Sequence, residues 1–168
     1  MSFKLNETQI SIIESAKYIL EKFDDDYWLD CDINAKFPHE FYDEVASGGW
    51  LGICMPEKFG GSNLGIREAS LFMQTISESG GGMAAASSIH INIFGPHPIV
   101  IYGTEKQKEL WLPPLISGKE KTCFGVTEPD SGLDTGKIKT KAQKVQGGYI
   151  INGQKIWTST AQVANKIL

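Results

Sequence analysis

The sequence is poor in the features that mark several large classes of protein. No apolar run approaches the roughly 20 residues that a membrane-spanning helix needs. Basic residues are not in excess: 16 Lys and Arg stand against 20 Asp and Glu, a formal charge of −4. A phosphate backbone needs a basic face, so this balance argues against nucleic acid as a partner. Cysteine is scarce, and Cys31, Cys54 and Cys123 lie far apart with no CxxC. An odd, scattered set suits reduced thiols and makes no zinc site by itself. His39, His90 and His97 lack metal spacing such as HExxH, so no metal is expected. The first seven residues, Met1-Ser2-Phe3-Lys4-Leu5-Asn6-Glu7, have neither a signal-peptide core nor Arg-rich transit character. The expectation is a cytoplasmic protein. The sequon Asn6-Glu7-Thr8 then reads as a helix start, not a glycan site.

What is present is enough for a core. The chain has 168 residues, 41% of them hydrophobic, which suits one domain or one domain and part of a second. The first two-thirds read as helices. Asn6 is an N-cap, with Ile10, Ile13, Ile19, Leu20 and Phe23 on one face of a helix ending near Asp24. Asp24-Asp25-Asp26 reads as a solvated acidic loop. Pro38 opens a helix that buries Phe41, Val45 and Ala46 and stops at Gly48-Gly49. "WLGICMPEKFGG" is a connector folded on the core. Ile66, Ala69, Phe72, Met73 and Ile76 mark another helix. Residues 83–94, with Ile89, Ile91 and Ile93 among small residues, mark a buried central one. Pro96 and Pro98 bound a turn. Thr104-Glu105-Lys106-Gln107 has capping-box form and opens a helix expected to end at Pro113-Pro114.

After Gly118 the period changes. Residues 122–126 read as a strand. From Lys137, lysines at 137, 139 and 141 alternate with Ile138, Thr140 and Ala142, the pattern of a strand with one wet face. Gly147-Gly148 turns the chain. Asn152-Gly153, between Tyr149-Ile150-Ile151 and Gln154-Lys155-Ile156-Trp157, predicts a hairpin turn. The expected fold is α+β by segregation: an all-α domain over residues 1–118, then the beginning of an antiparallel β domain over residues 119–168. So short a sheet is a poor stable domain, and the sequence reads as truncated.

"CFGVTEPDSGLDTG", residues 123–136, follows an apolar strand with a Pro/Gly break. Pro129 removes a pairing donor, and Gly132 and Gly136 allow close approach to a ligand. A polar turn between strands explains much of this, and a core aromatic explains Trp157 taken alone.

Taken together, "CFGVTEPDSGLDTG", "IKTKA" and "YIINGQKIWTSTAQVANKIL" resemble the acyl-CoA dehydrogenase family. "LGICMPEKFGG" and "GTEKQKELWLPPLISGK" resemble its N-terminal domain, so the likeness covers essentially the whole chain in order. The resemblance implies an oxidoreductase that binds FAD, desaturates an acyl-CoA in fatty acid β-oxidation, and passes electrons to an electron-transfer flavoprotein as a homodimer or homotetramer. It implies that Phe124, Val126 and Thr127 line the flavin, that Trp157 packs on the ring, and that Thr158 and Ser159 bond near N5. It implies that Ser87, His90 and Phe94 line the acyl pocket, although a packed, hydrogen-bonded histidine is the plainer reading of His90. Two positions depart from the family pattern. Leu133 replaces a serine that touches CoA or the cofactor phosphates, and Ser159 replaces a threonine while keeping a hydroxyl. The family's catalytic carboxylate lies in a C-terminal domain that this chain lacks, so no catalytic base is named and the isolated chain is expected to be inactive. Glu128 is read as structural. The rival readings are an acyl-CoA oxidase, nitroalkane oxidase or flavin monooxygenase of the same fold, and a non-catalytic fragment.

Overall fold

The computed structural model describes residues 4–168; Met1-Ser2-Phe3, which belong to the leader reading, lie outside them. Seven α-helices come first: α1 (Glu7–Leu20), α2 (Asp25–Ile33), α3 (His39–Ser47), α4 (Ile66–Ser77), α5 (Gly82–Phe94), α6 (His97–Tyr102) and α7 (Glu105–Ile116). Short 3₁₀ turns at Trp50–Gly52 and Glu57–Phe59 form the connector between α3 and α4. Four strands follow: β1 (Thr122–Cys123), β2 (Lys141–Val145), β3 (Gly148–Asn152) and β4 (Lys166–Ile167). Helices first and a few strands afterwards is the segregated order expected from the sequence.

Local chemistry sets most boundaries. Asn6 and Gln9 exchange side-chain bonds with each other's N–H groups, closing a capping box at the start of α1. Thr104 and Gln107 do the same for α7. The buried stripe of α1 is Gln9, Ile12, Ala16 and Ile19, while Ile10 is exposed. The face is thus rotated from the one the isoleucines suggested, because small Ala16 meets α4 and Gln9 donates to Glu68 on α4 at 2.7 Å.

The three aspartates are not a loop. Asp24 accepts from the Tyr27 N–H as the N-cap of α2, and Asp25 and Asp26 sit in the first turn, where the helix dipole favours carboxylates. The turn expected around Pro96 and Pro98 is the short helix α6. Helix α7 also runs past Pro113 and Pro114 to Ile116. The carbonyls those prolines leave unpaired belong to exposed Glu109 and Leu110, where water can satisfy them. Leu112, Leu115 and Ile116 then bury the last turn against Met55, Phe59 and Ile99.

The main core lies between α1, α3, α4 and α5. Phe41, Tyr42, Val45, Leu51, Phe72, Ile76, Ile89 and Ile93 are closed to solvent. Trp50 stacks on Phe72 with ring centres 4.8 Å apart, which ties the connector to α4.

The β part differs from the expected register. Strand β2 begins at Lys141, not Lys137, and residues Thr135–Lys137 form a 3₁₀ turn. The hairpin joins β2 to β3 through Gln146-Gly147, where Gly147 has φ +85°. The Asn152-Gly153 turn does not form, and residues 154–157 are not a strand. Gly153 serves close approach instead, because a Cβ there would overlap Thr140 Oγ1. Every residue of β2 and β3 is exposed. Strands β1 and β4 pair in parallel, Thr122 with Lys166 and Cys123 with Ile167.

Phe72→Ala removes a fully buried ring and its stack on Trp50, and is expected to destabilise the chain by about 3–5 kcal/mol. Urea unfolding of the two proteins measures this; a difference below about 1 kcal/mol would show that the site collapses around the gap.

Candidate functional site

The candidate site is built around a carboxylate. Glu128 follows β1 and is only 5% exposed. Its Oε2 accepts from the Lys139 N–H at 2.6 Å, and its Oε1 from the Thr140 N–H at 2.9 Å and the Lys155 ammonium at 3.0 Å. Lys155 Nζ also donates to the Val126 carbonyl at 2.9 Å, and the Ile156 N–H donates to the Thr127 carbonyl at 2.9 Å. Residues 126–128 are therefore held along residues 155–156. The loop between is pinned as well: Glu128 and Ser131 exchange backbone bonds, Ser131 Oγ donates to the Asp134 carbonyl, and Lys139 pairs with Asp130 at 2.8 Å.

This surrounding changes the acid chemistry of Glu128. The Thr140 side chain and the Lys139 N–H act first, with the Thr140 N–H and Lys155 behind them. Together they outweigh burial and lower its pKa from 4.5 to about 2.

The clamp brings together the two segments named from the sequence. Phe124 is exposed, Val126 and Thr127 are half-buried, and they lie before the clamp; Trp157, Thr158 and Ser159 lie directly after Ile156. Trp157 is not on a strand. It adopts left-handed backbone at φ +56° and is 85% exposed. The N–H groups of Val126, Thr127, Thr158 and Ser159 donate to no other group among the described residues. Two runs of free N–H donors, the three hydroxyls of Thr127, Thr158 and Ser159 and a presented indole form a donor set suited to a flat, polar-edged ring.

The site is docked on the helices through β1. The Thr122 N–H donates to Asn92 Oδ1 on α5 at 2.8 Å, the Lys121 N–H donates to Asn165 Oδ1 at 2.8 Å, and Glu120 pairs with Lys166. Lys121 lies 4.1 Å over the Tyr42 ring. On α5, Ser87, His90 and Phe94 share one stripe with Met83. They line a groove of about 450 Å³ whose other wall, on α4, includes Met73 and Gln74. His90 is exposed and lies against Phe94, with ring centres 5.3 Å apart, and its side chain makes no hydrogen bond among the described residues. Leu133 is fully exposed. Among the described residues no group of three or more His, Cys, Asp or Glu could hold a metal, and no helix is long and apolar enough to cross a membrane.

Three structural residues had escaped the sequence reading. Lys155, in the middle of the misassigned hairpin, was the one with a signal, since a lysine between Gln154 and Ile156 beside an acidic motif invites a pairing. Asn92, buried on α5, had no pattern in the sequence to mark it. Thr160 gave no signal; it is buried, with left-handed backbone at φ +69°.

A helical layer docked to the opening strands of a β layer, with two clamped donor runs at the junction, defines a class that the comparisons identify. The family model for the acyl-CoA dehydrogenase N-terminal domain matches residues 6–119, and that for the acyl-CoA dehydrogenase middle domain matches residues 123–168. A probable acyl-CoA dehydrogenase of Bacillus subtilis, YngJ, is 31% identical over 170 residues, covering all of this chain and 44% of that protein. The structure of butyryl-CoA dehydrogenase from Megasphaera elsdenii superposes with a TM-score of 0.87 at 29% identity, covering 98% of this chain and 43% of that one. PigA with FAD and proline superposes at 0.88 and 28% identity, over 99% and 44%. This chain belongs to the acyl-CoA dehydrogenase family. It spans less than half the length of these relatives.

A depressed carboxyl pKa means that the Glu128 contribution to stability is complete above about pH 4.5 and is lost as the pH falls from there toward 2. NMR titration of the Glu128 carboxyl carbon should give a midpoint near 2, with the β part loosening over the same range. A midpoint at 4.5 would remove the clamp.

Proposed function

We propose that this chain forms the helical portion and the first β segments of an FAD-dependent acyl-CoA dehydrogenase. The complete enzyme desaturates an acyl-CoA thioester between its α and β carbons. Bound FAD supplies the hydride acceptor for that reaction. The chain's own residues hold and polarise the ring. The Val126 and Thr127 N–H groups and the Thr127 hydroxyl bond its pyrimidine edge, with Phe124 beside them. Trp157 covers the ring, and Thr158 and Ser159 donate near its reactive nitrogen. Donors fixed in advance stabilise negative charge as it develops, without reorganising during the reaction. The carrying observation is the clamp, which sets both donor runs side by side before any ligand arrives.

The acyl group lies along the exposed stripe of α5, against Ser87, His90 and Phe94. Leu133 offers no polar contact to CoA or to a phosphate. Glu128 is not the base: a carboxylate with a pKa of about 2, occupied by three donors, holds a proton too weakly to take one from carbon. No residue of this chain is assigned that role, so activity belongs to the complete protein. An electron-transfer flavoprotein as electron acceptor and a homodimeric or homotetrameric assembly complete the proposal, in the cytoplasm, where three unpaired thiols stay reduced.

Titration of the 168-residue chain with FAD, followed by visible absorption, tests the cofactor site. A shifted flavin band that saturates at one FAD per chain is expected, and Trp157→Ala should abolish the shift. An unperturbed band at excess protein would overturn a preformed flavin half-site.

A further inference from the structure

Of the asparagines in the chain, Asn152 alone is followed by glycine. Asparagine is among the chemically labile side chains. Its carboxamide carbon is open to attack by the backbone nitrogen of the next residue, which closes a cyclic imide. The reaction needs a carboxamide free to turn, a following N–H with no acceptor, and no bulk at the attacking residue. Elsewhere the fold withholds at least one of these. Asn6, Asn34, Asn92 and Asn165 hold their carboxamides in hydrogen bonds. The Asn63 side chain makes none among the described residues, but the Leu64 N–H donates to the Ile53 carbonyl at 2.9 Å, and Leu64 adds a branched side chain. Asn152 meets every condition. It is exposed, its carboxamide bonds to nothing, and the Gly153 N–H donates to no group among the described residues. It ends β3, in a wholly exposed hairpin that little holds closed. Directly across from it on β2, and on the same face, is Lys141, whose ammonium has no ion pair among the described residues. A positive charge there favours both the anionic nitrogen that attacks and the carboxylate that results.

We propose that Asn152 is a site of spontaneous deamidation, and that its conversion opens the Glu128 clamp. The Gly153 nitrogen gives up its proton and bonds Asn152 Cγ. The Cγ–Nδ2 bond breaks and ammonia leaves. Water then opens the imide at one of its two carbonyls, and nothing is oxidised or reduced. Opening at Cγ gives an ordinary aspartate. Opening at the main-chain carbonyl carbon routes the backbone through the side chain and lengthens it by one methylene. The surroundings of Gly153 have no room for that. Its backbone lies so close to Thr140 that a Cβ would overlap Thr140 Oγ1. The Thr140 N–H donates to Glu128, and Lys155, two residues beyond Gly153, supplies the ammonium. The added methylene displaces both donors. The inference goes beyond the acyl-CoA reading and does not depend on it, because the clamp aligns residues 126–127 and 157–159 whatever they hold.

The test incubates the whole chain at mildly alkaline pH and digests samples at intervals for peptide mass spectrometry. The peptide holding Asn152 should gain one dalton while those holding Asn34 and Asn63 stay unchanged, and an isoaspartyl-specific methyltransferase should label it. Amide exchange of Thr140 and Ile156 should quicken in step with the isoaspartyl fraction, with the helical core still protected. Asn152→Gln, whose longer side chain disfavours ring closure, should keep both its mass and its protection through the same incubation. Fresh Asn152→Asp carries the charge without the added methylene and should keep Thr140 and Ile156 protected. An Asn152 that holds its amide, or converts no faster than Asn63, would overturn the inference. Conversion that leaves Ile156 protected would overturn it too, as would loss of that protection in fresh Asn152→Asp.

Discussion

The junction between residues 126–128 and residues 155–156 depends on one carboxylate. Glu128 is buried, charged and bonded to two backbone N–H groups and an ammonium, so its position is fixed by three donors from two distant stretches of chain. The loop of residues 129–138 has no strand to hold it, and β2 and β3 bury nothing. A two-stranded hairpin of that kind is marginal alone. The Glu128–Lys155 pair, with the Ile156–Thr127 backbone bond beside it, substitutes for a sheet and joins segments separated by almost thirty residues. Glu128 is buried and Lys155 partly so, with backbone donors satisfying the rest of the carboxylate, an arrangement in which an ion pair confers a unique geometry even where its net stability is small.

That geometry passes to the helices through few bonds. Asn92, on the buried face of α5, accepts from the Thr122 N–H and fixes where β1 begins. The same helix presents Ser87 and His90 on its outer stripe. One helix thus positions both the segment proposed to hold the flavin and the groove proposed to take the acyl group, and the dense core of α1, α3, α4 and α5 lies behind it. The left-handed Trp157 and Thr160 stand at either end of Thr158 and Ser159. Strained backbone of this kind persists only where surrounding structure over-determines it, and Trp157 directly follows the clamped Ile156.

Much of this was legible in the sequence, for reasons that differ by element. The capping boxes at Asn6 and Thr104 are local chemistry and read directly. Helices α4 and α5 follow from apolar spacing. The stretch after Cys123 and the Trp157 segment were found through ordered motifs and a family likeness, which periodicity could not have supplied. Helix α2 was hidden because it buries little besides Trp28, so it has caps but no stripe. The end of α7 was misplaced because two prolines usually stop a helix, and only the contacts of Leu115 and Ile116 show why they do not. Asn152-Gly153 has the composition of a hairpin turn, yet its glycine answers to Thr140 across the loop. A tertiary contact overrode a local signal. Lys155 matters through partners far along the chain, Val126 and Glu128.

The central claim is that the Glu128 clamp assembles the two ligand-binding runs before any ligand binds. Amide hydrogen exchange of the apo chain tests it at three residues: Lys139 and Thr140, which donate to Glu128, and Ile156, which donates to Thr127. At neutral pH all three should be protected to the same degree, and Glu128→Gln should release them together. Exchange of the Ile156 amide at the rate of an unstructured peptide, with the helical core still protected, would contradict the account.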